Sequence, residues 1–322
     1  MTEPHKRPNR HPIYKTAYRV TNWREYDKSL RDRGDITLWI SQETIDAWTP
    51  PQPGQKGAPP VYSDLAIETA LSLRLLFDLP LRQTEGFLRS LLTLMDVALP
   101  CPDHTTLSRR HATVELRQPV RRTSRGPVDL IVDSTGVKLC GQGEWHSQQH
   151  GEKKRKRWKK LHIGVDDQGQ MVASSLTESQ EPDPSQVPVL LAQVDAPIDR
   201  FIGDGMYDQE PVYAAVEAHS PGACVIIPPR KDVVLSPEST TSPSQRDQHL
   251  LEIGRTNRFH WKRTSGYDDQ SRAENAFARF KRTFGTRLRA KRNDSQEREA
   301  SLACALLNRM WELGRPQSYL VS

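Results

Sequence analysis

The chain has 322 residues, 35% hydrophobic and 27% charged, with a formal net charge of +6. That length accommodates about two domains, and seven Trp, eight Tyr and seven Phe exclude a chain disordered throughout. No apolar run approaches the roughly 18 residues that span a bilayer, the polar, Pro-rich start lacks the apolar stretch of a secretory leader, and four widely spaced Cys fit neither a disulfide framework nor a zinc site. A cytoplasmic protein with no membrane partner is therefore expected.

In chain order, residues 1–15 read as a disordered basic arm, and 22–33 as a short helix with Asn22 as its N-cap. Residues 49–60, TPPQPGQKGAPP, form a linker, because five prolines forbid a regular element. Apolar residues recur at helical spacing over 63–77 and again over 81–95. After the Pro-bounded turn at 99–103, residues 105–116 read as a third helix, so the N-terminal third is helical. The second and third of these helices form either a helix-turn-helix with Arg109 and Arg110 toward DNA or a plain helical bundle.

Beyond the basic stretch 121–126 the texture changes. Val128–Val132 reads as a buried strand that ends at Asp133. Residues 158–167 and 170–177 read as a hairpin about Asp167-Gln168-Gly169. A helix at 187–194, a strand ending at Gly203-Asp204-Gly205, a helix opened by Asp208 and a strand at 224–227 follow. Residues 231–250, rich in Ser, Pro, Thr and Gln, read as a mobile loop before helices at 267–284 and 295–313. The pattern predicts an α/β layer with a mixed sheet behind the helical third. Cys304 lies in an apolar helix and reads as core.

The positive charge is concentrated. Residues 153–160, KKRKRWKK, hold seven positive charges in eight positions, and residues 255–292 hold twelve Lys or Arg. Such clustering is the footprint of a polyanionic partner, nucleic acid above all; the plain alternative is a solvated loop. Residues 153–160, with Lys153, Lys154, Arg155, Lys156 and Arg157 foremost, are a candidate phosphate-backbone contact, with Trp158 packing or stacking on a base.

Three acids stand out. Asp133 and Asp204 each close a short strand, where α/β folds collect ligands. Glu274 lies on a helix that also carries Tyr267, Gln270 and Lys281 at offsets that share one face. Read alone, each Asp is an ordinary turn residue and the helix face a solvated stripe. Hard oxygen donors suit Mg²⁺, and a pair of such ions serves in-line displacement at phosphorus. His162 alternates with Leu161 and Ile163 and reads as structural or as facing the acids; Asp183 reads as a turn residue.

Several motifs, in this order, resemble the DDE transposases of bacterial insertion sequences, the insertion-sequence-five family. They are Tyr18–Ile40, Asp103-His104-Thr105-Thr106 with Ser108-Arg109-Arg110, Asp133-Ser134-Thr135-Gly136, Trp158-Lys159-Lys160-Leu161-His162, and Gly203-Asp204-Gly205-Met206-Tyr207-Asp208. The family's last motif, Tyr-x2-Arg-x3-Glu-x6-Lys, is matched by Tyr267, Glu274 and Lys281, with Gln270 where the family has Arg; Arg272, on the opposite face, is a poor stand-in. The acids are 71 and 70 residues apart, room for the strands and helices of a ribonuclease-H-like core.

The resemblance implies an α/β chain with a ribonuclease-H-like catalytic domain at 127–314, an N-terminal all-helical DNA-binding domain at 16–120 and a tail at 315–322. It implies that Asp133, Asp204 and Glu274 bind two Mg²⁺, with Mn²⁺ able to substitute. It implies cleavage at a transposon end to free a 3′-hydroxyl, which then attacks target DNA. The implied partners are the terminal inverted repeats and target DNA, bound by a homodimer or higher oligomer in the bacterial cytoplasm at the nucleoid. Alternatives are a ribonuclease-H-like nuclease that cuts without joining and a transposase-derived DNA-binding protein.

Overall fold

The structure is a computed structural model and describes residues 17–50, 61–116, 126–139 and 158–321. The arm at 1–15, most of the Pro/Gly linker and Lys153, Lys154, Arg155, Lys156 and Arg157 lie outside the described residues.

A first strand, β1 (Ala17–Val20), leads into helix α1 (Trp23–Asp32) and two short helices, α2 (Ile36–Trp39) and α3 (Gln42–Asp46). Helices α4 (Asp64–Leu76), α5 (Leu81–Leu94) and α6 (His104–Arg110) follow. Ser63 and Asp103 start α4 and α6 by accepting the Ala66 and Thr106 amides at 3.1 and 2.7 Å. Helix α6 ends at Arg110, not at 116, and Glu85 of α5 secures its start by accepting both the His104 amide and Nδ1.

The sheet comprises β2 (Val128–Leu139), β3 (Trp158–Val165) and β4 (Met171–Glu178), then, after helix α7 (Val187–Leu191), β5 (Ile198–Ile202). Helix α8 (Glu210–His219) leads to β6 (Cys224–Ile226). Helices α9 (Gln245–Arg255), α10 (Arg258–Thr264) and α11 (Ser271–Phe284) precede a two-residue strand β7 (Arg287–Leu288), the long helix α12 (Asn293–Glu312) and β8 (Ser318–Val321). The order across the sheet is β4-β3-β2-β5-β6, with β7 also beside β2; the β2–β3–β4 pairs are antiparallel and the β2–β5–β6 pairs parallel. The sheet is mixed, as the sequence pattern predicts.

Alternation along β2 sorts the core into two layers. Ile131 and Val137 join Leu161, Ile163, Phe277, Phe280 and Leu302 on one side; Leu130 and Val132 join Leu190, Phe201, Val212 and Val216 on the other. The first layer also takes in Trp48, Leu71, Leu88 and Leu107, so the N-terminal helices and the sheet share one apolar cluster. The open edge of β4 is sealed by Asn308 of α12, which exchanges hydrogen bonds with the Met171 amide and carbonyl at 2.9 and 2.8 Å.

Three expectations are corrected. Residues 315–322 are not a loose tail, because β8 pairs antiparallel with β1. Asn22 does not cap α1; its side chain donates to the Arg315 carbonyl and accepts the Gln317 amide, tying the chain ends together. Gly314 lets that connection pass close to α1, since a Cβ there would stand 2.6 Å from Ser29 Cβ. The segment 231–250 is not one loop, because Ser244 and Asp247 form a capping box that starts α9 within it. Ser236 adds two hydrogen bonds to the Asp247 carboxylate of that cap. No helix among the described residues is long and apolar enough to cross a membrane.

Candidate active site

Strand β2 does not stop at Asp133, as its apolar run implies, but continues to Leu139. What ends there is its neighbour. Strand β5 pairs with β2 only as far as Ile131↔Ile202, and β7 takes up the same edge only from Lys138. Between these pairings the edge of β2 has no strand partner among the described residues, and Asp133 sits in that gap, half-buried. The chain leaving β5 supplies Gly203 and Asp204 at the same level. A Cβ at Gly203 would lie 3.1 Å from the Tyr207 ring, so any larger residue there would have to displace that ring.

Each aspartate is oriented by a backbone amide: Ser134 donates to Asp133 Oδ1 and Met206 to Asp204 Oδ1, both at 2.8 Å. Glu274 is exposed in the first turn of α11, whose opposite side buries Ala273, Ala276, Phe277 and Phe280. Helix α11 begins only at Ser271; Tyr267–Gln270 form a separate 3-10 turn. The expected single exposed face of Tyr267, Gln270, Glu274 and Lys281 is therefore broken. Glu274 and Lys281 are exposed, but Gln270 is buried and donates through Nε2 to the Val132 carbonyl at 3.1 Å. That carbonyl lies just past the last β2–β5 pair, so the amide replaces a missing strand.

The acids feel one another. Burial first, then the charges of Asp204, Glu274 and Asp183, push the Asp133 carboxyl up to about 6, against the lowering pull of the Ser134 amide. Burial and Asp183 also raise Asp204, and burial with Asp204, Glu274 and Asp133 pushes the Tyr267 phenol up to about 12. Among the described residues no three His, Cys, Asp or Glu side chains stand close enough to enclose a metal ion between them. The donor chemistry nevertheless fits Mg²⁺, which takes few protein carboxylates and fills its shell with water and phosphate oxygens. A dication here would offset the like charges that, after burial, raise Asp133.

A family model described as a transposase DDE domain matches residues 124–309, and a second of the same description matches residues 31–142. The chain is a member of the DDE transposase family. The mixed sheet flanked by helices is consistent with the ribonuclease-H-like core of such a domain, and a transposase domain implies DNA as substrate.

In this transposase the other anticipated residues have distinct surroundings. Arg109 is exposed on α6, but Arg110 is engaged within the protein, with Asp64 at 2.5 Å and the Tyr62 carbonyl at 3.2 Å. Trp158 opens β3, partly exposed, with the Lys138 ammonium 5.3 Å from its ring centroid. Arg272 binds Asp269 at 3.0 Å and the Asp167 carbonyl at 2.5 Å, and so does not replace the missing Arg at position 270. Asp208 does not cap α8; it is buried against Arg246, with Oδ1 2.8 Å from Nε.

Sequence reasoning missed Asp183, a turn residue by its Pro-rich context, which the fold carries to the acids. It also missed the Tyr207 hydroxyl, buried among Asp183, Asp133 and Asp204 without a hydrogen-bond partner. Their only signal was proximity to motifs; the pairing of distant turns carries none. His162 is fully buried, hydrogen-bonded to Thr177 Oγ1 at 2.8 Å, and 3.7 Å from Asp183, so it is both structural and adjacent to an acid.

The role of Gln270 can be measured. Gln270→Leu leaves the Val132 carbonyl buried and without its donor, which is expected to cost about 1–3 kcal/mol. The check is a lower urea midpoint with an unchanged slope; an unaltered midpoint would show that this bond carries no stability.

Proposed function

We propose that this transposase binds insertion-sequence ends, cleaves the DNA to free 3′-hydroxyls and joins them to target DNA, with Asp133, Asp204 and Glu274 as ligands of two Mg²⁺. What supports the reading is that Asp133, in a gap of the sheet edge, feels the charges of Asp204 from the turn after β5 and of Glu274 from α11. When bound, Mg²⁺ supplies Lewis-acid stabilisation of charge at the reacting phosphorus and its oxygens. The protein's own part is positioning. The Ser134 and Met206 amides hold one oxygen of each aspartate, Gln270 holds the strand behind Asp133, and the packed face of α11 fixes Glu274.

Helices α5 and α6, with exposed Arg109, belong in this reading to a DNA-binding region at 16–120, beside a catalytic domain at 127–314. Lys281, exposed beyond Glu274, faces the DNA backbone in the same reading, as does the run 153–157 in the β2–β3 connection. The active species is a homodimer or higher oligomer on DNA. The test is a gel assay with a labelled duplex carrying the inverted repeat that brackets the coding sequence, with and without Mg²⁺. Mg²⁺-dependent cleavage and a joined product support the reading. Cleavage without joining indicates a nuclease, and binding without cleavage a DNA-binding derivative.

The basic run makes its own prediction. Neutralising Lys153, Lys154, Arg155 and Lys156 is expected to weaken binding to every DNA sequence alike and to lower the salt slope by about 1 for each phosphate that is no longer neutralised. Titrations over salt on two unrelated duplexes check it; an unchanged slope makes the segment a bystander.

A further inference from the structure

Asp183 opens a single 3-10 turn, Asp183–Gln186, that packs against Gly205–Tyr207, the turn that Asp204 starts. Its side chain is only 13% exposed, and Oδ1 accepts the Lys160 ammonium at 2.9 Å. Lys160 Nζ also donates to the Glu181 carbonyl at 2.8 Å. An ammonium has three donors, so one remains without a partner among the described residues. Lys160 lies on β3 opposite Gly136, on the sheet face that carries Leu130 and Val132, and approaches the acids through Asp183, whose charge acts on Asp133 and Asp204. Its side chain is 26% exposed, open to solvent where neighbouring Lys159 is buried against Glu178. Behind the pair, His162 is fully buried, and its Nδ1 lacks a hydrogen-bond partner.

A site made of carboxylates repels a polyanion until something offsets their charge. Lys160 is a fixed positive charge on Asp183, the acid whose own charge acts on Asp133 and Asp204, with two donors engaged and a third without a partner among the described residues. Lysine serves phosphate as a point charge, which one donor satisfies without breaking the bonds that aim it.

We propose that Lys160 contacts a phosphate oxygen of the DNA strand bound at the acidic site, and that Asp183 is the positioning residue that holds its ammonium there. The inference rests on the reading of that site given above.

The experiment measures end-duplex binding over salt in EDTA, and single-turnover cleavage in Mg²⁺. Lys160→Met is expected to lower the salt slope by about 1 and to slow cleavage at least tenfold. Lys160→Arg keeps the charge and is expected to restore the slope. Asp183→Asn keeps the Lys160 charge, so its slope should match wild type while cleavage slows about tenfold. In the Lys160→Met background Asp183→Asn should slow cleavage less than it does in wild type, because only its direct charge effect on Asp133 and Asp204 is left. Melting curves of each variant identify any that fail to fold, and Lys160→Gln, equally uncharged, then carries the slope comparison against wild type. An unchanged slope in Lys160→Met, or losses that multiply in the double variant, overturns the proposal. Asp133→Asn is the separate control: if it cleaves like wild type, the reading of the site fails, whereas the EDTA slopes judge Lys160 independently of cleavage.

Discussion

Asp133→Asn is expected to slow strand cleavage by about a thousandfold or more while leaving end-DNA binding nearly unchanged and making the metal-free protein more stable. The activity loss follows from removing a charged oxygen donor at the gap in the sheet edge. A variant that keeps more than about a tenth of the rate, roughly 1.4 kcal/mol of barrier, shows that Asp133 is not a metal ligand. The gain in stability has a separate origin. The folded carboxyl titrates at about 6 against an ordinary 3.8, so the fold favours the protonated form. The stabilising contribution of this group is complete below about pH 4 and is lost as pH rises through about 6. At pH 7–8 the ionised group is therefore a burden, nominally about 3 kcal/mol and about 1–2 kcal/mol once solvent screening at this partly open site is allowed for. Asparagine removes that burden and keeps an oxygen for the Ser134 amide. Melting curves in EDTA should show wild type losing stability from pH 4 to 6, with less loss in the variant. Mg²⁺ should raise the wild-type melting temperature by mass action and leave the variant almost unmoved. Equal pH profiles for the two proteins would contradict this account.

Glu299→Ala is expected to be the most destabilising single change, at about 3–5 kcal/mol. Glu299 lies on α12 with its side chain 3% exposed; one oxygen accepts the Arg289 amide at 2.7 Å and the other the Ala290 amide at 2.8 Å. The same carboxylate stands 3.6 Å from the Arg74 guanidinium of α4, which is itself buried. Burial lowers the Arg74 ionisation and Glu299 opposes that lowering. Alanine strips the charge from the pair and leaves two amides and a guanidinium unpaired; Glu299→Gln keeps an acceptor and should cost less. The pair joins an N-terminal helix to the last long helix across the shared apolar cluster. Urea unfolding of the variant should therefore shift as one transition followed by both tryptophan fluorescence and circular dichroism. Two separate transitions, or a loss below about 1 kcal/mol, would show that Arg74–Glu299 does not couple these parts.

Local rules were enough for much of this chain. The caps at Ser63 and Asp103, the hairpin about Asp167-Gln168-Gly169 and the apolar helix around Cys304 rest on propensities and periodicities that act over a few residues. So do the compact apolar run at Val128–Val132 and the alternating Leu161, Ile163 and Val165, whose strands form the middle of the sheet. The mixed sheet followed from the element order, and the family from motifs whose order is written in the chain. Long-range pairing was a different matter. The extension of β2 past Asp133 depends on where β5 stops and β7 begins, and a strand does not encode its neighbour's length. Gln270 sits at helical spacing from Glu274, yet a 3-10 turn and the bare Val132 carbonyl draw it inward. Ser244 and Asp247 make a helix start of a stretch whose composition resembles a loop. Asp208 and Arg110, polar residues next to motifs, found partners 38 and 46 residues away. The first and last described strands pair, and Asn22 supports them through two backbone partners, at Arg315 and Gln317. Asp183 and Lys160 are 23 residues apart, and they pair because β3 and β4 form a hairpin, after which the turn of Asp183 packs on the one that Asp204 starts. The sequence by itself determined the elements and the chemistry of the acids, because both are carried by neighbouring residues; the tertiary structure decided which charges are neighbours, because burial and proximity exist only once the chain has closed on itself.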